Sequence, residues 1–208
     1  MKIYFIRHGE TLWNTLKIFQ GSSNSPLTEK GREQAKKLCK KLKNIEFTNF
    51  YSSPLGRTIE TSELIIGDRN IKIEFIDEFK EISVGQMEGA PREEFETKYP
   101  KEFHDFFLNP KDYDPSPYLG ESYPNLLERV EKGLEKLISK HRDGDTVAVV
   151  SHGITLKAIF KIVKGMSFEE LGEVPVPENT SVSIVNYDYN NKKYCIDVFS
   201  DTSHLKED

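Results

Sequence analysis

The chain has 208 residues, a net charge of −5 and a charged fraction of 30 %. This length fits one domain with a sizeable core, and the acidic balance gives no general basic surface for nucleic acid. No apolar stretch is long enough for a signal-peptide core or a membrane span. Cys39 and Cys195 have no metal or redox spacing, so we expect both to be buried, reduced thiols. We therefore predict a cytoplasmic protein that binds neither nucleic acid nor membrane.

Strands and helices alternate in the N-terminal part of the chain. The apolar run at 2–6 predicts a buried strand, which a polar loop over 8–27 follows. Thr28 is a suitable N-cap for an amphipathic helix over about 29–43. The next predicted elements are a strand at 47–51, a helix from Pro54 to about Ile66, and a strand at 72–76.

The C-terminal part continues this alternation after an irregular segment. Residues 85–125 are rich in proline and aromatic residues, and we interpret them as an insertion that forms a lid or substrate wall. After it come a long helix starting at Ser122 or Asn125, a strand at 145–150, a helix at 153–163, and an antiparallel pair at 181–187 and 194–199. The alternation predicts a single domain over 1–208 with a layered α/β fold.

Basic and imidazole side chains follow three of the predicted strands. Arg7 and His8 follow the first strand, Arg57 follows the second, and His152 follows the strand at 145–150. Because the carboxyl ends of parallel strands meet at one edge of a sheet, these groups should converge there, with Glu81 nearby. Two guanidiniums and two imidazoles fit a tetrahedral dianion such as phosphate. The N-termini of the helices at Arg57 and after His152 should add N–H groups to the same anion.

Phosphoryl transfer is the reaction that such a site supports best, since fixed cations stabilise its transition state. A neutral His8 can attack phosphorus and hold it covalently. Glu81 can protonate the departing oxygen and later deprotonate water. The sequence contains no metal-ligand spacing, so we expect neither a metal nor an organic cofactor.

The sequence resembles the histidine phosphatase superfamily, also called the phosphoglycerate-mutase-like family, over nearly its whole length. The matching motifs are RHGET at 7–11, Trp13-Asn14, QGSSNSPLTEKG at 20–31, SSPLGRT at 52–58, KEISVGQMEG at 80–89, GES at 120–122 and VVSHG at 149–153. The resemblance implies a three-layer α/β/α sandwich with a mostly parallel central sheet and an antiparallel edge strand at the C-terminal end.

The resemblance also implies roles for individual residues. His8 matches the histidine that carries the phosphoryl group, and Glu81 matches the acid–base carboxylate. Arg7, Arg57 and His152 match the phosphate pocket.

Four further residues belong to the predicted phosphate- or substrate-binding group. Asn14, Gln20 and Gly21 match family positions that often contact the phosphate or its ester, and Gly153 directly follows His152. On the residues alone, Asn14 and Gln20 serve equally well to brace their loop.

Within the family, the chain is similar to the broad-specificity phosphatases, so we predict a metal-independent phosphatase of small phosphate esters. The aromatic and acidic residues of 85–125 suit uncharged or apolar esters, although the aromatic run at 95–118 also fits a small core under the insertion. A phosphoglycerate mutase and a non-catalytic phosphate-binding module are the alternatives. The natural substrate and the oligomeric state stay open, with a homodimer as one alternative.

Overall fold

A computed structural model describes residues 1–206 and contains every predicted strand and helix, with small shifts at their ends. The strands are Lys2–Arg7 (β1), Asn49–Ser52 (β2), Ile73–Phe75 (β3), Thr146–Ser151 (β4), Val182–Asp188 (β5) and Lys193–Asp201 (β6). The α-helices are Leu12–Thr15 (α1), Glu29–Lys41 (α2), Gly56–Ile66 (α3), Arg92–Lys98 (α4), Pro100–Leu108 (α5), Tyr123–Ser139 (α6) and Gly153–Val163 (α7).

The six strands form one sheet in the order β3-β2-β4-β1-β5-β6. The pairs β1–β4, β2–β4 and β2–β3 are parallel, whereas β5 runs antiparallel to both β1 and β6. This confirms the predicted fold class, with a mostly parallel sheet and an antiparallel pair at the C-terminal edge. The carboxyl ends of β1, β2 and β4 consequently lie side by side at one edge.

Helices cover both faces of the sheet, because the central strands are apolar on both sides. In β1, Ile3 and Phe5 belong to the larger core cluster, which includes residues of α6 and α7. Tyr4 and Ile6 belong to the other cluster, which includes residues of α2 and α3. Because successive side chains of a strand point to opposite faces of the sheet, β1 contributes to both cores.

Residues 85–125 fold as α4, α5 and two short 3-10 turns. Backbone hydrogen bonds join the start of this segment to the loop after α1, from Phe19 N to Ala90 O and from Arg92 N to Lys17 O. Phe95 and Tyr118 are fully buried in the larger core cluster. The aromatic run thus contributes to a core under the insertion, as one of the two equally good interpretations expected, and whether the segment moves as a lid stays a prediction.

Two sequence expectations concern the surface. Cys39 is partly buried, but Cys195 is exposed, so the prediction of a buried thiol is wrong there. Cys195 lies on the edge strand β6, where every second residue of the first part faces solvent. Between residues 1 and 206, no helix has the length and apolarity that a membrane span needs.

Candidate active site

The convergent strand ends surround a cavity of about 230 Å³. Seven of the nine predicted site residues line it, namely Arg7, Asn14, Gln20, Gly21, Arg57, Glu81 and Gly153. The remaining two, His8 and His152, are almost fully buried, and their ring centroids lie 5.3 Å apart. The structure therefore brings the predicted residues together at one edge of the sheet.

The His8 ring is held in one orientation by its own backbone. Its Nδ1 lies 2.8 Å from the carbonyl oxygen of Gly9, and this contact requires a proton on Nδ1. Burial, followed by the positive charges of Arg57 and Arg7, holds the pKa of His8 well below its usual value near 6.5. The neutral ring with Nδ1–H leaves a lone pair on Nε2, which is the form that a nucleophile needs.

His152 and Arg57 form a buried pair. Nε of Arg57 donates to Nδ1 of His152 at 3.1 Å, so the His152 proton lies on Nε2, which contacts Oγ of Ser53 at 2.8 Å. Burial and the neighbouring Arg57 charge hold the pKa of His152 well below its usual value. The two imidazoles are therefore both neutral but carry their protons on different nitrogens.

The Arg57 guanidinium is fixed by backbone carbonyls of the loop before α2. Its two terminal nitrogens donate to Ser23 O at 2.6 Å and to Gly21 O at 2.8 Å. Burial lowers the pKa of Arg57 to about 10, which still leaves it charged at neutral pH. The remaining N–H groups of the fork are available to phosphate oxygens in the cavity.

Glu88 supports this loop from the other side. Its carboxylate accepts hydrogen bonds from Ser22 N and Ser22 Oγ, each at 2.9 Å, and from the hydroxyl of Ser23. Gly21 has a φ of +52°, and a Cβ there would lie 2.3 Å from the Glu88 carboxylate. Glycine is thus required at 21 by both conformation and space.

Arg7 is anchored at one point only. One terminal nitrogen donates to Pro177 O at 2.7 Å, while its buried Nε has no partner among the described residues. Burial lowers its pKa. A Cβ on Gly153 would lie 2.9 Å from Cγ1 of Val176 and in van der Waals contact with the Arg7 guanidinium carbon at 3.5 Å, so Val176 would have to shift. The unused donors of Arg7 face an anion site by the same logic as those of Arg57.

Glu81 is held at the N-terminus of α7. Its Oε1 accepts from Ile82 N at 3.1 Å and Thr155 N at 2.9 Å, and its Oε2 accepts from Ile154 N at 3.1 Å. Arg129 fixes the backbone before it by donating to the carbonyls of Glu78, Lys80 and Glu81. Oε2 is therefore the less occupied oxygen of the carboxyl group.

The sequence predicted that the N-termini of α3 and α7 donate N–H groups to the phosphate. This prediction is wrong for those N–H groups that already bind a group of the protein. In α7 they bind the Glu81 carboxylate, and in α3 the N–H of Arg57 contacts Oδ1 of Asn24 at 3.3 Å. Protein groups fill these positions because the preceding loops fold onto the helix ends. The positive charge of the cavity consequently comes from its arginine side chains.

Asn14 and Gln20 both line the cavity, and Asn14 also stabilises the local structure. Oδ1 of Asn14 accepts from Thr11 N at 3.1 Å and closes a capping box on α1. Oε1 of Gln20 is buried and has no partner in residues 1–206. Asn14 therefore braces its turn while it lines the cavity, whereas Gln20 presents an unused polar atom there.

Several site residues were missed by the sequence analysis. Ser53 orients His152, Glu88 supports the Arg57 loop, and Arg92 lines the cavity from α4. Arg92 is a cation in a segment that the sequence analysis treated only as aromatic and acidic. One sequence signal could have identified it. Arg92 directly follows Pro91, at the start of a helix next to the motif at 80–89.

Within residues 1–206, no group of three or more His, Cys, Asp or Glu side chains is arranged to hold a metal ion. The charged groups of the cavity are instead arginines and one carboxylate, which bind anions and exchange protons.

Comparison with known proteins agrees with this geometry. The family profile of the histidine phosphatase superfamily (branch 1) matches residues 3–196. A metal-independent phosphoserine phosphatase of Arabidopsis thaliana is 35 % identical over 98 % of this chain and 83 % of its own length. A probable phosphoglycerate mutase GpmB of Salmonella arizonae is 30 % identical over 99 % of this chain and 95 % of its own length.

Among solved structures, YhfR of Bacillus stearothermophilus superposes with a TM-score of 0.92 and 34 % identity, covering 99 % of each chain. The chain belongs to the histidine phosphatase superfamily and is a phosphatase.

Proposed function

We propose that the protein is a metal-independent phosphomonoesterase that hydrolyses small phosphate esters through a phosphohistidine at His8. The observation that carries this proposal is the state of His8, which is neutral, with Nδ1–H bound to Gly9 O and Nε2 without a hydrogen-bond partner among residues 1–206. The cavity volume of about 230 Å³ favours small esters, because typical ligand pockets begin at about 300 Å³. The Arabidopsis relative named as metal-independent supports the absence of a metal requirement.

In the first step, Nε2 of His8 attacks phosphorus and the bond from phosphorus to the ester oxygen breaks. The unused donors of Arg7 and Arg57 stabilise the equatorial oxygens, on which negative charge accumulates. A protonated Glu81 donates its proton to the leaving oxygen from Oε2, which accepts a single hydrogen bond from the protein.

In the second step, the Glu81 carboxylate takes a proton from water, and the water oxygen attacks phosphorus. The bond from phosphorus to Nε2 breaks and inorganic phosphate leaves, which regenerates both groups. His152 stays neutral throughout and keeps Arg57 oriented through the contact at 3.1 Å.

The decisive experiment combines turnover with trapping. Wild-type protein should hydrolyse p-nitrophenyl phosphate in excess chelator, and a brief quench with ³²P-labelled ester should leave an acid-labile label on the protein. His8→Ala should lose both signals. His104→Ala, which alters a side chain that is 62 % exposed, is the matched control and should keep both. Wild-type turnover by His8→Ala contradicts the proposal.

A phosphoglycerate mutase is the second candidate, and two observations favour it. GpmB of Salmonella is named a probable phosphoglycerate mutase, and Arg92 gives the cavity a third cation. Conversion of 3- to 2-phosphoglycerate that depends on a bisphosphoglycerate primer, at a rate above phosphate release, would establish it over the first.

A further inference from the structure

Thr155 is a residue of α7 whose hydroxyl group contacts two oxygen atoms. The residue is fully buried. Its Oγ1 lies 2.6 Å from Lys80 O and 3.0 Å from Oε1 of Glu81. Both of these oxygens are acceptors when the Glu81 carboxyl group is ionised, but a hydroxyl group has only one proton to donate. Thr155 can therefore donate fully to only one of the two oxygens at a time.

Each of the two oxygens keeps other donors when the Thr155 proton turns away from it. Lys80 O also accepts from a terminal nitrogen of Arg129 at 2.8 Å. Oε1 of Glu81 also accepts from the N–H groups of Ile82 and Thr155. Neither orientation of the hydroxyl group leaves a buried acceptor without a partner, so the free-energy cost of changing between them is small.

The charge of Glu81 decides which orientation of the hydroxyl group is favoured. An ionised carboxylate attracts the hydroxyl proton more strongly than a peptide carbonyl does, since charge-assisted hydrogen bonds are about twice as strong as neutral ones. When Glu81 carries a proton on Oε2, its Oε1 is a neutral carbonyl oxygen with two N–H donors already in place. The shorter contact, with Lys80 O, is then favoured. The change requires rotation about one C–O bond and no movement of heavy atoms.

We propose that Thr155 is a positioning residue whose hydroxyl group turns toward Glu81 when the carboxyl group ionises and back to Lys80 O when it is protonated. The proton of Thr155 stays on Oγ1 throughout, so no proton is transferred through this residue. The hydroxyl group adds a third hydrogen bond to Oε1 in the form of Glu81 that has just given its proton away. This inference rests on the proposed function and deepens it, because an acid that later acts as a base must be stable in both forms.

The kinetic test compares esters whose leaving groups differ in basicity. Thr155→Val keeps the shape and the backbone N–H of the residue but removes the hydroxyl group. We expect kcat/KM for phenyl phosphate to fall about tenfold, because the carboxylate that forms as the leaving oxygen is protonated loses a charge-assisted hydrogen bond. For p-nitrophenyl phosphate, kcat/KM should change less than about twofold, since the less basic p-nitrophenolate leaves without help from an acid. Thr155→Ser retains the hydroxyl group and should restore the wild-type ratio of the two kcat/KM values.

Thr97→Val is the matched control, since the Thr97 hydroxyl group is exposed and donates to Glu93 O within α4. It should leave the ratio unchanged, and thermal melting verifies that each variant folds. Thr155→Ala also lacks the hydroxyl group and should give the same ratio as Thr155→Val, so the test does not depend on one variant. A wild-type ratio in the variants without the hydroxyl group, or a failure of Thr155→Ser to restore it, overturns the role of Thr155.

Carbon-13 NMR of the Glu81 carboxyl group separates this inference from the proposed function, because it follows ionisation without turnover. Glu81→Gln identifies the signal. Thr155→Val should raise the proton affinity of the carboxyl group about tenfold, whereas Thr155→Ser should leave it unchanged. The charged and titratable groups near this carboxyl group are the same in each variant, and they include Arg7, Arg57, Arg129 and Tyr123.

The two failures are distinguishable. Failure of the proposed function alone removes phosphate release and leaves the difference in proton affinity between Thr155→Val and Thr155→Ser intact. Failure of the role of Thr155 removes this difference and leaves hydrolysis intact.

Discussion

Different kinds of interaction hold the two sides of the cavity in place. On the strand-end side, His8, His152 and Arg57 are buried, and each has a defined hydrogen-bond partner. On the α4–α5 side, aromatic rings pack around Arg92, whose side chain has no polar partner in the described part of the chain. Directional hydrogen bonds fix the groups that we propose to act on the phosphoryl group, whereas aromatic packing holds the opposite wall. We therefore expect chemistry on one side and selectivity on the other.

The largest effect should come from breaking the strand-end side at Arg57. Arg57→Met removes the fork and leaves Gly21 O and Ser23 O without their donor. We expect kcat/KM for p-nitrophenyl phosphate to fall by about 10²–10³, the usual loss for a donor to a transition-state charge. Steady-state kinetics beside the exposed Arg142→Met control provide the measurement. A loss below about threefold would show that Arg57 lies outside the reacting geometry.

The same side should make the protein sensitive to acid. The pKa values of His8 and His152 are lowered in the folded state, so below about pH 6.5 the unfolded chain binds more protons. The free energy of unfolding should therefore decrease as the pH falls below that value, by up to about 1.4 kcal/mol per pH unit for each histidine. Urea unfolding at several pH values measures the slope.

His8→Asn should flatten that slope, and the exposed His104→Asn should not. An unchanged slope in His8→Asn would contradict the buried, neutral state assigned to the ring.

A smaller effect is expected from loosening the loop that holds Arg57. Glu88→Gln replaces an acceptor-only carboxylate that binds Ser22 and Ser23. We expect kcat to fall about tenfold with little change in KM, because the hydrogen bonds from Ser22 and Ser23 hold the loop less well when their acceptor becomes neutral. The exposed Glu128→Gln is the control. An effect confined to KM would assign Glu88 to binding instead.

The smallest effect should come from the packed wall. Phe107→Leu keeps an apolar side chain but removes the ring that stacks on Phe19 and lies under Arg92. We expect KM to change by about two- to fivefold, while kcat for p-nitrophenyl phosphate stays nearly constant. A comparable loss in kcat would mean that the wall takes part in the chemistry, which would remove the contrast between the two sides.

The strand-end side could be predicted from sequence because its signals are local. Arg7, His8 and His152 each directly follow or end an apolar strand, and parallel pairing of β1, β2 and β4 then brings them together. The placement of Glu81 could not be predicted from local signals alone, because it depends on how the loop after β3 folds onto the start of α7. That long-range contact is why Ile154 N and Thr155 N bind the Glu81 carboxylate and are not available to a phosphate.

The wall could not be predicted in the same way. Arg92 is surrounded in sequence by acidic residues, and its direction is set by Phe19, which is far away along the chain, and by Phe107 on the next helix. No spacing pattern in the sequence indicates a contact between an arginine and aromatic rings that lie elsewhere in the chain. The aromatic residues themselves were recognised, but the sequence left open which of them fill the core and which face the cavity.

The wall is attached to the rest of the protein at both of its ends. Ala90 O accepts from Phe19 N, and Glu121 N donates to Ser83 O at 2.8 Å, two residues beyond Glu81. The residues between these two hydrogen bonds form the wall, and their buried side chains belong to the larger core cluster. Changes of sequence between these two bonds can therefore alter the wall without removing the hydrogen bonds that hold Arg57 and Glu81.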